Sequence, residues 1–126
     1  MALTNHKLSG APTKPVKIDG KTYDLQLGNF TLLISVKEWV SKMQALDVED
    51  ENHLFEQIGD LANDALDIVA SVLGDAAAEE LVGGKNRLNL YRIIDVLNIL
   101  AEEMSSDDSL KTVTSAIEFK NKTIDE

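Results

Sequence analysis

The residues of this chain that could do chemistry are carboxylates and two histidines, and the sequence has no cysteine. Four carboxylates are spaced by three or four residues, which places them on one face of a helix. They are Glu56, Asp60, Asp64 and Asp67. Such a group could bind a metal ion, but a di-iron helical bundle also needs a Glu-x-x-His pattern on facing helices, and the sequence contains none. We therefore interpret these carboxylates as the solvated face of an amphipathic helix.

The other candidate sites each lack a required part. His6 and His53 have no second ligand at a useful spacing. The acidic segment 47–52 lacks the glycine that gives a calcium loop its sharp turn. Gly84 and Lys85 are followed by asparagine, whereas a phosphate loop needs serine or threonine there. No serine has a recognisable base or glycine elbow beside it. The sequence therefore predicts no catalytic, cofactor or metal site.

The charge of the chain is strongly negative and unevenly distributed. The 126 residues, enough for one domain, carry a net charge of −10. Residues 1–40 contain five lysines and three acidic residues, a charge of +2, and the remainder carries −12. An acidic chain without a basic patch is not expected to bind nucleic acid or anionic membranes. The charge can serve solubility or attract a basic partner surface, and both interpretations remain open.

The N-terminal residues predict neither a signal peptide nor a folded element. Residues 1–7 lack the apolar run of a signal peptide, and no apolar stretch of the sequence is long enough to cross a bilayer. We therefore expect a cytoplasmic protein. The segment 9–15 is small, polar and punctuated by two prolines, which predicts a flexible arm over residues 1–15.

A hairpin is predicted from residue 16 to residue 27. Asp19 and Gly20 form a dipeptide typical of a type I′ turn, which requires positive φ at both central residues. After the turn, Tyr23, Leu25 and Leu27 alternate with polar residues, the period of a half-buried strand. A two-stranded hairpin is marginal in water by itself, so it must pack on the helices that follow.

The rest of the chain has mostly helical periodicity. The predicted helices cover about residues 29–46, 52–73, 75–82 and 89–105. The second has an apolar face wider than one neighbour requires, which predicts a central position. Trp39, the only tryptophan, lies on the apolar stripe of the first helix and is expected in the core. The predicted fold class is α+β, mostly α, with the hairpin packed on three main helices and one short helix.

The segment 106–126 has no single period. Leu110, Val113 and Ile117 suit a helix, whereas Val113, Ile117 and Phe119 suit strand alternation. We expect this segment to be mobile in the free protein and to become ordered on a neighbouring copy or another partner, burying these four apolar side chains. The alternative is that the segment completes the core of its own chain.

Several parts of this sequence resemble the siphophage tail assembly chaperones. The resemblance spans about residues 16–105 and depends mainly on the order of the parts. These parts are the opening hairpin Val16–Leu25, the Phe30-Thr31 start of the first helix, the glycine break Gly83–Arg87 and the helix segment Leu90–Leu97.

The resemblance implies a non-enzymatic protein, acting in the cytoplasm of the bacterial host cell, that binds the tape-measure protein and promotes assembly of tail-tube protein around it. It can also form a homo-oligomer. In many members a ribosomal frameshift appends a second domain, and this chain would correspond to the unshifted product. Two other classes remain open. They are a structural tail or head–tail component that stays in the phage particle, and a small acidic helical regulator or inhibitor.

Overall fold

The computed structural model describes residues 3–6, 8 and 10–124, with side chains up to residue 118. In chain order the elements are β1 (Thr13–Ile18), β2 (Lys21–Gln26), α1 (Thr31–Gln44), α2 (Glu51–Leu73), α3 (Asp75–Val82), a 3₁₀ turn (Gly84–Asn86), α4 (Leu90–Met104) and α5 (Asp107–Ile124). This is the predicted α+β, mostly α architecture. None of the described helices has both the length and the apolar character needed to cross a membrane.

The hairpin has the predicted turn and longer strands than predicted. Asp19 and Gly20 both have positive φ, 54° and 83°, as a type I′ turn requires. The strands pair antiparallel from Ile18 opposite Lys21 down to Thr13 opposite Gln26. The prediction of a flexible arm up to residue 15 is therefore wrong for residues 13–15. They are ordered because they pair with β2.

One face of the hairpin is covered by the helices. The buried side chains alternate along both strands, as a sheet with one solvated face requires. They are Val16, Ile18, Tyr23, Leu25 and Leu27. These five residues belong to the same core cluster as the apolar faces of α1, α2, α3 and α4.

Trp39 joins α1 to α2. Its side chain is 1% exposed, which confirms the prediction that it lies in the core. The indole Nε1 donates a hydrogen bond of 2.8 Å to the carbonyl oxygen of Leu61 in α2. The bond satisfies the one polar atom of a large apolar side chain, so the ring can be buried without an orphaned donor.

The central helix is α2, as its wide apolar face predicts. It contacts α1, α3, α4 and β2. Asp50 caps its first turn by accepting a hydrogen bond of 3.3 Å from the backbone N–H of His53. Gly74, with a φ of 92°, ends it and leads directly into α3.

The glycine break after α3 sets the approach to α4. Gly83 is buried, and a Cβ atom built on it would lie 2.7 Å from the side chain of Glu79. Only glycine fits there without displacing Glu79. Helix α4 then begins after Asn89, whose side chain accepts a hydrogen bond of 3.2 Å from the N–H of Arg92.

The C-terminal segment is a helix, so the interpretation of residues 113–119 as alternating strand is wrong. Helix α5 begins with Asp107 and Asp108 in its first turn, where carboxylates interact favourably with the helix dipole. Ser106 caps it by accepting a hydrogen bond of 3.3 Å from the N–H of Ser109. Val113 packs against the core. The acidic first turn and the serine cap stabilise only a helix, and they favour the helical period over strand alternation.

We expect Gly20→Val to lower the free energy of unfolding by about 1–3 kcal/mol, because a β-branched residue is strained at positive φ. A Cβ atom at this position would meet no other atom within 4 Å, so the expected loss of stability comes from backbone strain alone. Thermal and urea denaturation measure the free energy of unfolding.

The matched control is Gly59→Ala within α2, where a Cβ atom also meets nothing within 4 Å. This variant should gain about 0.5–1 kcal/mol because alanine is the better helix former. Equal stabilities of Gly20→Val and the unmodified protein would contradict the turn assignment.

Candidate functional site

The predicted carboxylate face is present but forms no enclosed site. Glu56, Asp60 and Asp67 are exposed along α2. Asp64 is half-buried, and its Oδ2 lies 3.4 Å from Nζ of Lys42 in α1. A surface ion pair of this kind contributes at most about 1 kcal/mol. The face therefore links α1 to α2 weakly and is otherwise in solvent.

The two histidines lie in separate parts of the fold. His6 is exposed ahead of β1, and His53 is exposed in the first turn of α2. In the part of the chain that the structure describes, no group of three or more histidine, aspartate or glutamate side chains is arranged to hold a metal ion.

A polar cluster that the sequence did not reveal joins β1 to the α4–α5 connection. Nζ of Lys14 lies 2.7 Å from Oε2 of Glu103 and donates to Oγ of Ser106 at 3.2 Å and Oγ of Ser109 at 3.3 Å. Ser109 is completely buried, and its hydroxyl also donates to the carbonyl oxygen of Glu103 at 2.5 Å. We call these four residues the Lys14 cluster.

A lysine beside a serine can form a catalytic pair, but the Lys14 cluster has the wrong surroundings. A serine nucleophile must reach a substrate and be deprotonated by a neutral base. Ser109 has no solvent exposure, and Lys14 is ion-paired with the carboxylate of Glu103. The cluster therefore anchors α5. Ser106 followed by two aspartates was a detectable signal of a helix start, whereas nothing in the sequence pointed to Lys14.

The turn end of the hairpin is tied to α3 and α4. Nζ of Lys21 lies 2.6 and 2.8 Å from the two carboxylate oxygens of Glu80. Arg92 donates through Nε to the carbonyl oxygen of Leu81 at 2.5 Å, and its Nη1 lies 3.7 Å from Oδ2 of Asp19. These contacts hold the turn against the helical layer.

Three pKa values are shifted at this end of the hairpin. The hydrogen bond between Lys21 and Glu80 raises the pKa of the lysine and lowers the pKa of the carboxyl, since it favours both charged forms. Burial raises the pKa of Tyr23, and the negative charge of Glu80 adds to the effect. The neutral phenol is therefore the form that the fold favours.

An apolar groove lies at the opposite end of the hairpin, beside α5. Its volume is about 440 Å³. It is lined by Gly10, Ala11, Pro12, Leu27, Gly28, Asn29, Val113, Ala116 and Ile117. We call it the hairpin-base groove. Three separate parts of the chain form it, so no local sequence pattern indicated it.

The four predicted partner-binding residues have different positions in the structure. Val113 and Ile117 line the hairpin-base groove, and Val113 also packs against the core. Leu110 is not part of the groove lining, but it lies on the same side of α5 as Ile117; the two side chains are 40% and 53% exposed. The side chain of Phe119 lies outside the described residues. Helix α5 thus contributes Val113 to the core and also exposes apolar side chains, and the expected binding of a partner stays a prediction.

Comparisons of this chain with protein-family models, with curated proteins and with solved structures gave no match. The resemblance to tail assembly chaperones accordingly stays an expectation from the sequence. The function has to be argued from the surfaces that the fold creates, and the hairpin-base groove is an apolar one among them.

Removing the ammonium group of the Lys14 cluster should loosen α5. We expect Lys14→Met to lower the free energy of unfolding by about 1 kcal/mol, less than a fully buried charged hydrogen bond contributes because the site is partly exposed. Amide hydrogen exchange in the first turns of α5 should become faster. Lys17→Met, at an exposed position of the same strand, is the control. Unchanged exchange in Lys14→Met would contradict the anchoring role.

The raised pKa of Tyr23 predicts a loss of stability at high pH. In the unfolded chain the phenol ionises near pH 10, whereas in the fold it stays neutral to higher pH. The stabilisation is therefore complete below about pH 10 and is lost as the pH rises through the folded pKa. Urea denaturation at pH 8 and pH 11 should show a smaller loss in Tyr23→Phe than in the unmodified protein.

Tyr91→Phe is the control for this measurement, because Tyr91 is 86% exposed. It should keep the pH dependence of the unmodified protein. If Tyr23→Phe and Tyr91→Phe lose the same stability between pH 8 and pH 11, burial of the Tyr23 phenol is not the cause of the stability loss at high pH.

Proposed function

We propose that this protein is a non-enzymatic tail assembly chaperone that binds a tape-measure protein and promotes assembly of tail-tube protein around it. The observation that carries the proposal is the hairpin-base groove, an open apolar surface on a chain with a net charge of −10. A chaperone of this kind needs apolar surface that its own fold leaves accessible, together with charge that keeps the complex in solution.

The groove suits an apolar side chain that projects from a helical partner. Its walls are residues 10–12 and the connection after β2 on one side and α5 on the other, and the buried side chain of Leu27 is part of its lining. Burying one apolar side chain of ordinary size contributes about 1.5–3 kcal/mol before the costs of ordering. A single site of this strength is weak, so a long partner would be held by many copies and released again during assembly.

The acidic surface supports the same function. The exposed carboxylates of α2 are absent from the groove lining, so the groove stays apolar while negative charge elsewhere on the surface favours solubility of a complex. The tape-measure protein is the partner we assign to the groove. Tail-tube protein is the second partner of the proposal, and no contact residues are assigned to it.

Co-expression with a tape-measure protein of the same phage origin tests the proposal. A chaperone should keep that long helical protein in the soluble fraction and be absent from finished particles. Presence in purified particles would favour a structural tail or head–tail component. If neither result is obtained, the proposal fails and a small acidic regulator becomes the better interpretation.

A carboxylate placed in the groove should block the partner. We expect Ala116→Glu to reduce the amount of co-purified tape-measure protein by about tenfold, the factor that corresponds to losing about 1.4 kcal/mol. Thr112→Glu introduces the same charge at an exposed position of the same helix and should bind normally. Equal binding by both variants would show that the groove is not the docking site.

A further inference from the structure

A second groove runs along the surface between α1 and α2. It consists of two cavities, about 240 and 290 Å³ in volume, and both include Lys42 and Asp64 in their linings. Trp39 and Ile68 border the first cavity, and Leu46 borders the second. Trp39 is buried and the other two apolar side chains are half-buried, so the groove has an apolar base. Because the cavities share two residues, we treat them as one surface and call it the α1–α2 groove.

The sides of the α1–α2 groove are acidic. One carboxylate on α1 and three on α2 line it, and Lys42 is the one basic residue among the described residues of its lining. The net charge of the lining is therefore −3. The four carboxylates are Glu38, Asp60, Asp64 and Asp67. The hairpin-base groove, by contrast, has no charged residue among the described residues of its lining, so the two grooves suit different occupants.

Lys42 shows how weakly the groove holds a cation of its own chain. Its Nζ lies 3.4 Å from Oδ2 of Asp64, and the two side chains are 63% and 46% exposed. An ion pair this open to solvent is easily exchanged for another one. Within the part of the chain that the structure describes, Glu38, Asp60 and Asp67 form no ion pair. Three carboxylates are thus available to a partner, and the fourth can exchange its lysine.

We propose that the α1–α2 groove binds a basic amphipathic helix of another protein. Asp60, Asp64 and Asp67 are spaced by four and then three residues along α2, a span of about 10 Å. Lysine or arginine side chains with the same spacing on a helix lying alongside α2 would reach all three carboxylates. An apolar stripe beside those basic residues would pack on Leu46 and Ile68, in the way that helices pack into the grooves between others.

Charge complementarity selects this occupant. An acidic helix would face repulsion from the lining, and a second copy of this chain, with a net charge of −10, is disfavoured for the same reason. Exposed ion pairs contribute modestly and are screened by salt. We therefore expect reversible binding that weakens as the ionic strength rises. The inference does not rest on the proposed function, and the two grooves have no lining residue in common.

Trp39 allows a direct test, because it is the only tryptophan of the chain and lines the groove. The probe is a synthetic helical peptide without aromatic residues. It has leucines along one face and, beside them, three lysines spaced by four and then three residues. Titrating it into the full chain should change the tryptophan emission and give a dissociation constant that rises with salt. A peptide of the same composition with its lysines spread around the helix should bind about tenfold more weakly.

Removing two carboxylates of the groove should weaken the peptide complex. We expect Asp60→Asn combined with Asp67→Asn to raise the dissociation constant about tenfold, because two intermolecular ion pairs are lost. The matched control is Glu51→Gln combined with Glu56→Gln. These residues are exposed on the same helix but do not line the groove. The control has the same net charge and should keep the original constant to within about twofold.

Removing the competing lysine should have the opposite effect. We expect Lys42→Gln to lower the dissociation constant about threefold, because Asp64 then pairs only with the peptide. Lys37→Gln has the same net charge and removes an exposed lysine of α1 that does not line the groove. It should leave the constant unchanged to within about twofold.

Circular dichroism checks that each variant is folded, and if the Asp60 and Asp67 variant is not, the two lysine variants decide. Three results would each overturn the proposal: no binding of the peptide, equal binding by a groove variant and its control, or displacement of the peptide by equimolar spermine, which would indicate general attraction of cations. Ala116→Glu should bind the peptide normally. Loss of tape-measure binding in that variant and loss of peptide binding in the aspartate variant are therefore separate results.

Discussion

The fold depends on a hairpin that has to bury one face against helices. Two strands alone are marginal in water, and here five alternating side chains become core only because the helices cover them. Polar contacts fix the hairpin at both ends. Lys21 and Glu80 hold the turn end against α3, and Lys14 joins the base end to Glu103 of α4. Burial supplies most of the driving force, while the charged contacts connect the two ends of the hairpin to the helices.

The surface of functional interest follows from how the base end is anchored. The Lys14 cluster holds the first turn of α5, and its hydrogen bonds all fall between residues 103 and 109 on the helical side. Beyond that turn, α5 passes the hairpin base with Val113 as its inward apolar contact. A helix fixed at its beginning and lightly packed afterwards leaves a gap beside the strands, and that gap is the hairpin-base groove.

Most of the architecture could be predicted from local pattern, and the exceptions have physical reasons. The turn at Gly20 and the helix Asp75–Val82 coincide with their predictions, because turn chemistry and helix ends are local. The start of β1 at Thr13 was not predicted, because a proline such as Pro15 usually interrupts a strand. The hydrogen bond of 2.8 Å from Leu27 N–H to Pro12 oxygen shows which alternate residues of the two strands are hydrogen-bonded to each other. Pro15 is not one of these residues, so its nitrogen points away from β2 and no hydrogen bond is lost.

The candidate site was less predictable, because its parts come together only in the folded chain. The groove combines residues near positions 10, 28 and 116, and the Lys14 cluster joins side chains about ninety residues apart. The sequence after residue 106 was compatible with both a core role and an interface role, because its apolar residues lie on two sides of one helix. Val113 points to the core, whereas Leu110 and Ile117 are exposed on a neighbouring side of the same helix. One amphipathic helix therefore packs Val113 against its own core and leaves its flanking apolar residues exposed.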